Sequence, residues 1–205
     1  MMKGIDDIHQ FWFQGINDQT LIKNNQLPFK RWFMKDDALD QQIKISFEAD
    51  LLNAVDVKYK DWEETLKGRL ALILLFDQFS RNIYRASARM FAFDERASAL
   101  ALKTIKEARD KDLMLIERVF LYMPLQHSED IRLQERSVTN FQSLIDESQF
   151  INPANTPYYK YTFDYARRHY EVIKRFGRFP HRNDILKRDS SPEELAFLQQ
   201  PGARF

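Results

Sequence analysis

The chain has 205 residues, 44% of them hydrophobic, enough to bury a core, so disorder is not the default. Its 31 basic and 30 acidic residues leave a net charge of +1, which gives no electrostatic basis for a nucleic-acid partner. It has no cysteine, so disulfides, thiolate catalysis and thiolate metal sites are excluded.

This length fits one domain over residues 1–205. With only 5 glycines and 7 prolines, a sheet protein with many tight turns is disfavoured and long helices are favoured. The opening M-M-K-G-I-D-D-I-H-Q places acids where a secretion signal would have its apolar run. The longest apolar run, residues 70–76, is far below the ~20 residues that span a bilayer. A soluble, cytoplasmic protein with no membrane contact is expected.

In chain order, Asp6 or Asp7 can cap a first helix that buries Ile8, Phe11 and Trp12 and stops at Gly15. Residues 15–35 read as a long loop whose Phe29, Trp32 and Phe33 pack down on the body. Asp36 or Asp37 caps the next helix, with Leu39, Ile43, Phe47 and Leu51 on one side as far as about Asn53. A segment from Trp62 follows, with Gly68 as a break. Residues 70–79 are apolar on all sides, which predicts a helix surrounded by others. Beyond it, Asp77, Arg81 and Arg85 share one face if the helix persists.

Asp94 can cap a helix to about Ala108, with Ala97, Leu100, Ala101 and Ile105 inward. Residues 115–123 are helical and end at Pro124, because the residue before a proline disfavours the helical basin. Ser128 then serves as N-cap, with Glu129 and Asp130 in the first turn and Ile131, Val138, Phe141 and Leu144 buried. Residues 151–157 are a loop. Residues 157–176 form a helix with a Tyr158, Thr162, Tyr165, His169, Val172 and Phe176 stripe, closed by Gly177. Ser191-Pro192-Glu193-Glu194 is a capping box opening a last helix through about Leu198. No strand emerges. The expected fold is all-α, built from antiparallel helix pairs, with no clean repeat period.

Three polar stretches stand out from this apolar frame. In D-Q-F-S-R-N-I-Y-R, residues 77–85, the arginine forks suit a carboxylate or phosphate and Asn82 adds an amide donor. An intrahelical ion pair explains the same residues. In H-S-E-D, residues 127–130, helix physics explains all but His127, which beside Glu129 and Asp130 could act as a base or belong to an oxygen-rich metal site. The metal reading lacks a second histidine at ligand spacing.

In R-F-G-R-F-P-H-R-N, residues 175–183, the cations Arg175, Arg178, His181 and Arg182 repel one another unless acids or an anion lie opposite. Asp77, Glu129 and Asp130 are candidate counterparts, and a structural network and a ligand site both remain open. His169 on an apolar stripe reads as a hydrogen-bonded core histidine, and His9 gives no signal. No phosphate-binding glycine loop, dinucleotide fingerprint or hydrolase elbow is present, so no cofactor is indicated.

These motifs, with L-L-F-D-Q-F-S-R-N-I-Y-R and E-R-V-F-L-Y-M-P-L-Q-H-S-E-D in order, resemble domain-of-unknown-function family 924, from about Phe11 to Phe205. The resemblance implies a tetratricopeptide-like stack of helix pairs and no established reaction. It emphasises Asp77, Arg81, Asn82, His127, Glu129, Asp130, Arg178, His181, Arg182 and Asn183. The sequence departs from the family pattern at Ser80 in place of proline, Gln126 in place of glutamate and Lys187 in place of glycine. A catalytic or metal-binding role for that glutamate is therefore closed to this chain.

The expected function is binding of a small anion, anionic metabolite or peptide carboxylate. Arg81, Arg178 and Arg182 hold the charge, with Asp77, Asn82, Arg85 and Asn183 as further ligand-binding candidates. His127, His181, Glu129 and Asp130 are the candidate catalytic residues of an alternative, a hydrolase or transferase for a phosphorylated or carboxylated substrate. That alternative needs a histidine with a carboxylate in hydrogen-bond reach and open space beside it. A second alternative is a protein-interaction scaffold, which predicts an exposed aromatic patch at Phe29, Trp32 and Phe33.

Overall fold

A computed structural model of the chain describes residues 3–23 and 26–203. Residues 1–2, 24–25 and 204–205, which include both ends of the expected domain and part of the expected loop, lie outside the described residues. The described residues are helical throughout, with turns and short 3-10 segments between helices and no strand among them. The helices are α1 (Ile5–Phe13), α2 (Phe29–Phe33), α3 (Asp37–Val55), α4 (Leu66–Ile73), α5 (Ser80–Ile83), α6 (Asp94–Lys106), α7 (Leu115–Gln126), α8 (Ile131–Ile151), α9 (Thr156–Phe176) and α10 (Pro192–Leu198).

Aromatic packing sets the arrangement. Trp12 of α1 meets Phe79 and Phe120 edge-on at 5.4 and 5.5 Å between ring centres, and Trp32 of α2 meets Phe120 at 5.2 Å. Edge contacts of this kind suit the ring quadrupoles and add to the area they bury. The Trp32 indole donates to the Trp12 carbonyl at 3.0 Å, so the burial of Trp32 leaves its polar edge satisfied. The expected long loop therefore contains a helical turn, because Phe29 and Trp32, spaced three apart, both seat in the core. The exposed aromatic patch that a scaffold would present there does not exist. Phe29 and Trp32 are buried and Phe33 packs against the core.

The all-apolar segment is buried on every side, as its sequence requires: residues 70–76 are 0–4% exposed. Gly68 does not break it. Thr65 caps α4 by accepting from the Gly68 amide at 3.0 Å, and Gly68 sits in the first turn. A Cβ there would run into the Trp62 carbonyl and lie 2.8 Å from Thr65 Oγ1, so glycine is required for the close approach of the preceding 3-10 turn, Lys60–Glu64. Between α4 and α5 the helix widens into a π turn, Leu74–Phe79.

Consecutive helices joined by short connections pack as antiparallel pairs. Four residues link α7 to α8 and four link α8 to α9, and each pair lies in contact. Several sequence-expected boundaries move. Gly4, not Asp6 or Asp7, is the N-cap of α1, and the Asp7 carboxylate reaches back to the Gly4 amide at 2.8 Å. α3 runs to Val55. Pro124 lies inside α7, which continues to Gln126. In the last turn a proline forfeits one hydrogen bond, and His127 N–H still reaches the Met123 carbonyl at 3.2 Å.

The N-cap of α8 is Asp130, whose carboxylate accepts from Arg132 N–H at 2.8 Å, while Ser128 Oγ accepts from the Asp130 amide. Ile131 is consequently exposed rather than buried. The Asp36 cap, the Gly177 terminus (φ 68°) and the Ser191 capping box stand as the sequence predicts. Lys187, where the family pattern has glycine, adopts φ 54°, a left-handed conformation that explains the pattern's preference.

The crowding at Gly68 yields a prediction. Gly68→Ala should lose about 1–3 kcal/mol of unfolding free energy, the usual cost of overpacking. Equilibrium denaturation with urea checks it, and a variant as stable as the native chain would contradict the close approach to Trp62.

Candidate functional site

A cleft of about 530 Å³ opens between α2, the π turn with α5, the C-terminal end of α7, α9 and the segment after α9. Asp77 lies just behind its lining, beneath Arg81 and His127. The π turn places this carboxylate at 0% exposure, where an unpaired charge would be prohibitive. Arg81 matches its charge, and His127 and Gln78 fill its remaining lone pairs. Oδ1 accepts from His127 Nδ1 at 2.7 Å and lies 3.3 Å from the Arg81 guanidinium, and Oδ2 accepts from the Gln78 amide at 2.5 Å. Burial pushes the Asp77 pKa up, but Arg81 and then His127 outweigh it and hold the group below the ordinary carboxylate value. The His127 pKa is lowered from its ordinary 6.5 by burial first, with Asp77 opposing and Arg81 adding to the fall.

With Nδ1–H committed to Asp77, the Nε2 side of His127 is the basic one, and the ring lies in the wall of the cleft. A histidine with a buried carboxylate in hydrogen-bond reach and open volume beside it is the arrangement that general-base chemistry requires. His169, 5.9 Å away ring to ring, differs. Its Nδ1 bonds the Tyr165 carbonyl at 2.8 Å, as a core histidine does.

Arg81 also pairs with Asp94 at 3.0 Å, and Asp94 in turn meets Arg182 at 3.3 Å. Asp94, expected as a helix cap, is instead the first residue of α6 and ties two arginines of the cleft together. Arg182 donates to the His127 carbonyl at 2.9 Å and lies between the Phe91 and Phe179 rings, 4.4 and 4.5 Å from their centres. Burial pulls its pKa down to about 10, Asp94 countering, so it stays charged at neutral pH. At the outer edge, Asn82 and Arg85 converge on Asp40 of α3, each at 2.7 Å. Arg85 therefore leaves the Asp77–Arg81 face, because α5 ends at Ile83.

The structure thus brings Arg81, Asn82, Arg85, His127, His181 and Arg182 to one cleft, with Asp77 directly beneath. The other candidates lie elsewhere. Arg178 is held by both oxygens of Glu194, at 2.7 and 2.8 Å, outside the cleft. Asn183 is buried and donates to Ser190 at 3.0 Å. Asp130 caps α8 and pairs with Arg132 at 2.8 Å. Glu129 accepts from the Phe179 amide and from Arg188, each at 2.8 Å, and so anchors the segment after α9 rather than serving His127.

The counter-charges proposed for the 175–183 cations are corrected accordingly: Glu193 takes Arg175, Glu194 takes Arg178 and Asp94 takes Arg182. The sequence reading missed Arg31, Gln78 and Asp94. A cation set among aromatics in F-K-R-W-F was the one signal that pointed to Arg31. Gln126, in place of the family's glutamate, lines the cleft with its Oε1 buried and unpartnered.

No carboxylate lines the cleft among the described residues, and no three His, Asp or Glu side chains gather among them to hold a metal. Among them, no helix is long and apolar enough to cross a membrane.

Residues 8–202 match a family model described as bacterial protein of unknown function (DUF924). The chain is also similar to a solved structure, that of the protein of unknown function ATU0120 from Agrobacterium tumefaciens. The two are 33% identical with a TM-score of 0.76, covering 95% of this chain and 96% of that one. No curated protein matches the sequence.

The buried histidines yield a pH prediction. His169 is pushed well below 6.5 by burial first, with His127, Arg182 and His181 adding and the Tyr165 carbonyl opposing, and His127 is lowered too. Unfolding lets both take up protons, so their contribution is complete above about pH 6.5 and is lost as pH falls through that value toward their folded pKa values. The melting temperature should fall on acidification below about 6.5, and His169→Gln should flatten the slope. A His169→Gln profile parallel to the native one would contradict the assignment.

Proposed function

The chain belongs to the DUF924 family of bacterial proteins, and we propose that this member is a cytoplasmic protein that binds a small anionic ligand in the Arg/His-lined cleft. One observation carries the reading: every side chain on the cleft wall that carries a charge at neutral pH is basic, while the carboxylates that balance them stand behind or beside it. An anion entering such a cavity meets cations first, and its low-dielectric walls strengthen their pull. The cavity falls within the size range of small-molecule sites, and the aromatic and methionine side chains between the cations suit an organic ligand.

Lys35 stands at the exposed mouth and pairs with the still more exposed Asp37 at 3.1 Å. Lys35→Glu should fold normally and weaken binding of an anionic ligand by roughly an order of magnitude at low salt, less at high salt. A thermal-shift panel of carboxylates, sugar phosphates and nucleotides identifies the ligand first. A ligand at about 100 times its Kd adds roughly 2.7 kcal/mol. No shift from any anion would sink the reading.

A second reading, hydrolysis of an ester or amide bond in an anionic substrate, is favoured by the Asp77–His127 pair. His127 Nε2 would take the proton of a water attacking the carbonyl carbon and return it to the departing oxygen or nitrogen. His127→Gln should then lower turnover of anionic aryl esters by roughly 10²–10⁴-fold while leaving product binding intact. Equal turnover by the two proteins would remove the enzymatic reading and leave the binding one in place.

A further inference from the structure

The four arginines of the cleft are not equivalent. Arg81 is held by Asp77 and Asp94, Arg85 by Asp40 and Arg182 by Asp94. Arg31 has no carboxylate partner among the described residues. Its guanidinium lies 4.2 Å from the Phe11 ring centre, and its Nε is buried without a hydrogen-bond partner. Burial alone lowers its pKa, with no acid acting on it. A guanidinium left half-buried and unpaired is costly to a fold unless something else meets it.

The charge balance of the whole wall points the same way. Arg31, Lys35, Arg81, Arg85 and Arg182 line the cleft, and Asp37, Asp40, Asp77 and Asp94 are the aspartates in contact with them. The surplus is a single positive charge, and it belongs to Arg31.

A ligand that compensates a surplus of one is a monoanion. A phosphate monoester carries nearly two negative charges at neutral pH and would overcharge the site. A carboxylate carries one and matches the planar fork of an arginine with two parallel hydrogen bonds. The surroundings of Arg31 describe the rest of the molecule. Trp32, Phe33, Met34, Tyr161 and Tyr165 line the same cleft, and so does Gln126, whose buried Oε1 lacks a hydrogen-bond partner.

Resting on the anion-cleft reading above, we propose that the ligand class is an aromatic or apolar monocarboxylic acid, docked with its carboxylate on Arg31 and its body among the aromatic side chains of α2 and α9. Arg31 is then the residue that selects carboxylate over phosphate, and Arg81 and Arg182, already neutralised, shape the inner wall.

Calorimetric titration of the full chain at pH 7.5 with four probes tests this. Indole-3-acetate carries the charge and the ring, indole-3-acetamide the ring alone, acetate the charge alone, and phenyl phosphate a ring with a dianion. Indole-3-acetate should bind at least about 10-fold tighter than each of the others. Arg31→Met, which keeps the stem over Phe11, should lose roughly 10- to 100-fold of that affinity, the worth of a charge-assisted pair. Arg31→Lys, which keeps the charge without the fork, should lose less. Melting curves on both variants establish that they are folded.

Phenyl phosphate binding as tightly as indole-3-acetate, or indole-3-acetate binding equally to native protein and a folded Arg31→Met, would overturn this proposal while leaving the anion cleft standing. Binding by none of the anions would overturn both.

Discussion

The buried carboxylate of Asp77 is the constraint on which the polar half of this molecule depends. A carboxylate at 0% exposure in a helix otherwise packed by leucine and phenylalanine is tolerable only when its lone pairs are filled and its charge is matched. His127 comes from the end of α7, Arg81 from one turn along and Gln78 from the adjacent position. Arg81 then draws in Asp94 at the start of α6, and Asp94 draws in Arg182 from the segment after α9. One chain of charges therefore ties four parts of the sequence together and fixes the wall of the cleft. Deleting Arg81 leaves the buried Asp77 charge without its cation, which costs more than the pair itself contributes.

The π turn makes this possible within an apolar helix. One extra residue per turn rotates everything after it by about 100° relative to an α-helix. The run from α4 is enclosed on all sides, whereas Arg81 and Asn82 on α5 have to reach the cleft and Asp40 beyond it. The wider turn changes phase between those two demands. Phe79, in the same turn, keeps the aromatic contact with Trp12 and Phe47, so the core and the cleft are set by one local departure from regular helix.

Much of the fold was legible because it rests on local chemistry. The Ser191 capping box, the Asp36 cap and the Gly177 terminus need only neighbours a few residues away, and each stands as read. The misread points depend on distant partners. Ser128 and Asp130 both offer a cap acceptor, and the choice falls to Asp130 because Gln134 pulls the Gln126 and Ser128 carbonyls inward at 2.7 and 2.6 Å. The charged motifs were legible as residues and not as pairs. Arg182 and Asp94 stand 88 positions apart, and Glu194, already explained as part of a capping box, gave no sign of also holding Arg178. Arg31 was missed since two adjacent cations among aromatics, Lys30 and Arg31, have no spacing that tells which of them enters the cleft.

A protein of net charge +1 can still offer an anion a strongly basic surface, because burial sorts charges that composition only counts. Here Asp77 lies deeper than Arg81 and Asp40 deeper than Arg85, while Asp94 and Arg182 are both largely buried. Asp77 is wholly enclosed, and the Asp94 side chain is 15% exposed. The cations they balance line the cavity, long enough to reach past the carboxylates toward it. Seen from the cavity, each pair presents its positive end, so attraction for an anion survives pairing in weakened form. Weak, shared attraction from paired arginines cannot set a precise anion position, since each guanidinium already has its preferred geometry satisfied. An unpaired guanidinium can, and its charge is the one the aspartates leave unbalanced. On the proposed reading the same division of labour makes the cleft rigid and receptive at once: the paired cations hold the helices, and Arg31 meets the ligand.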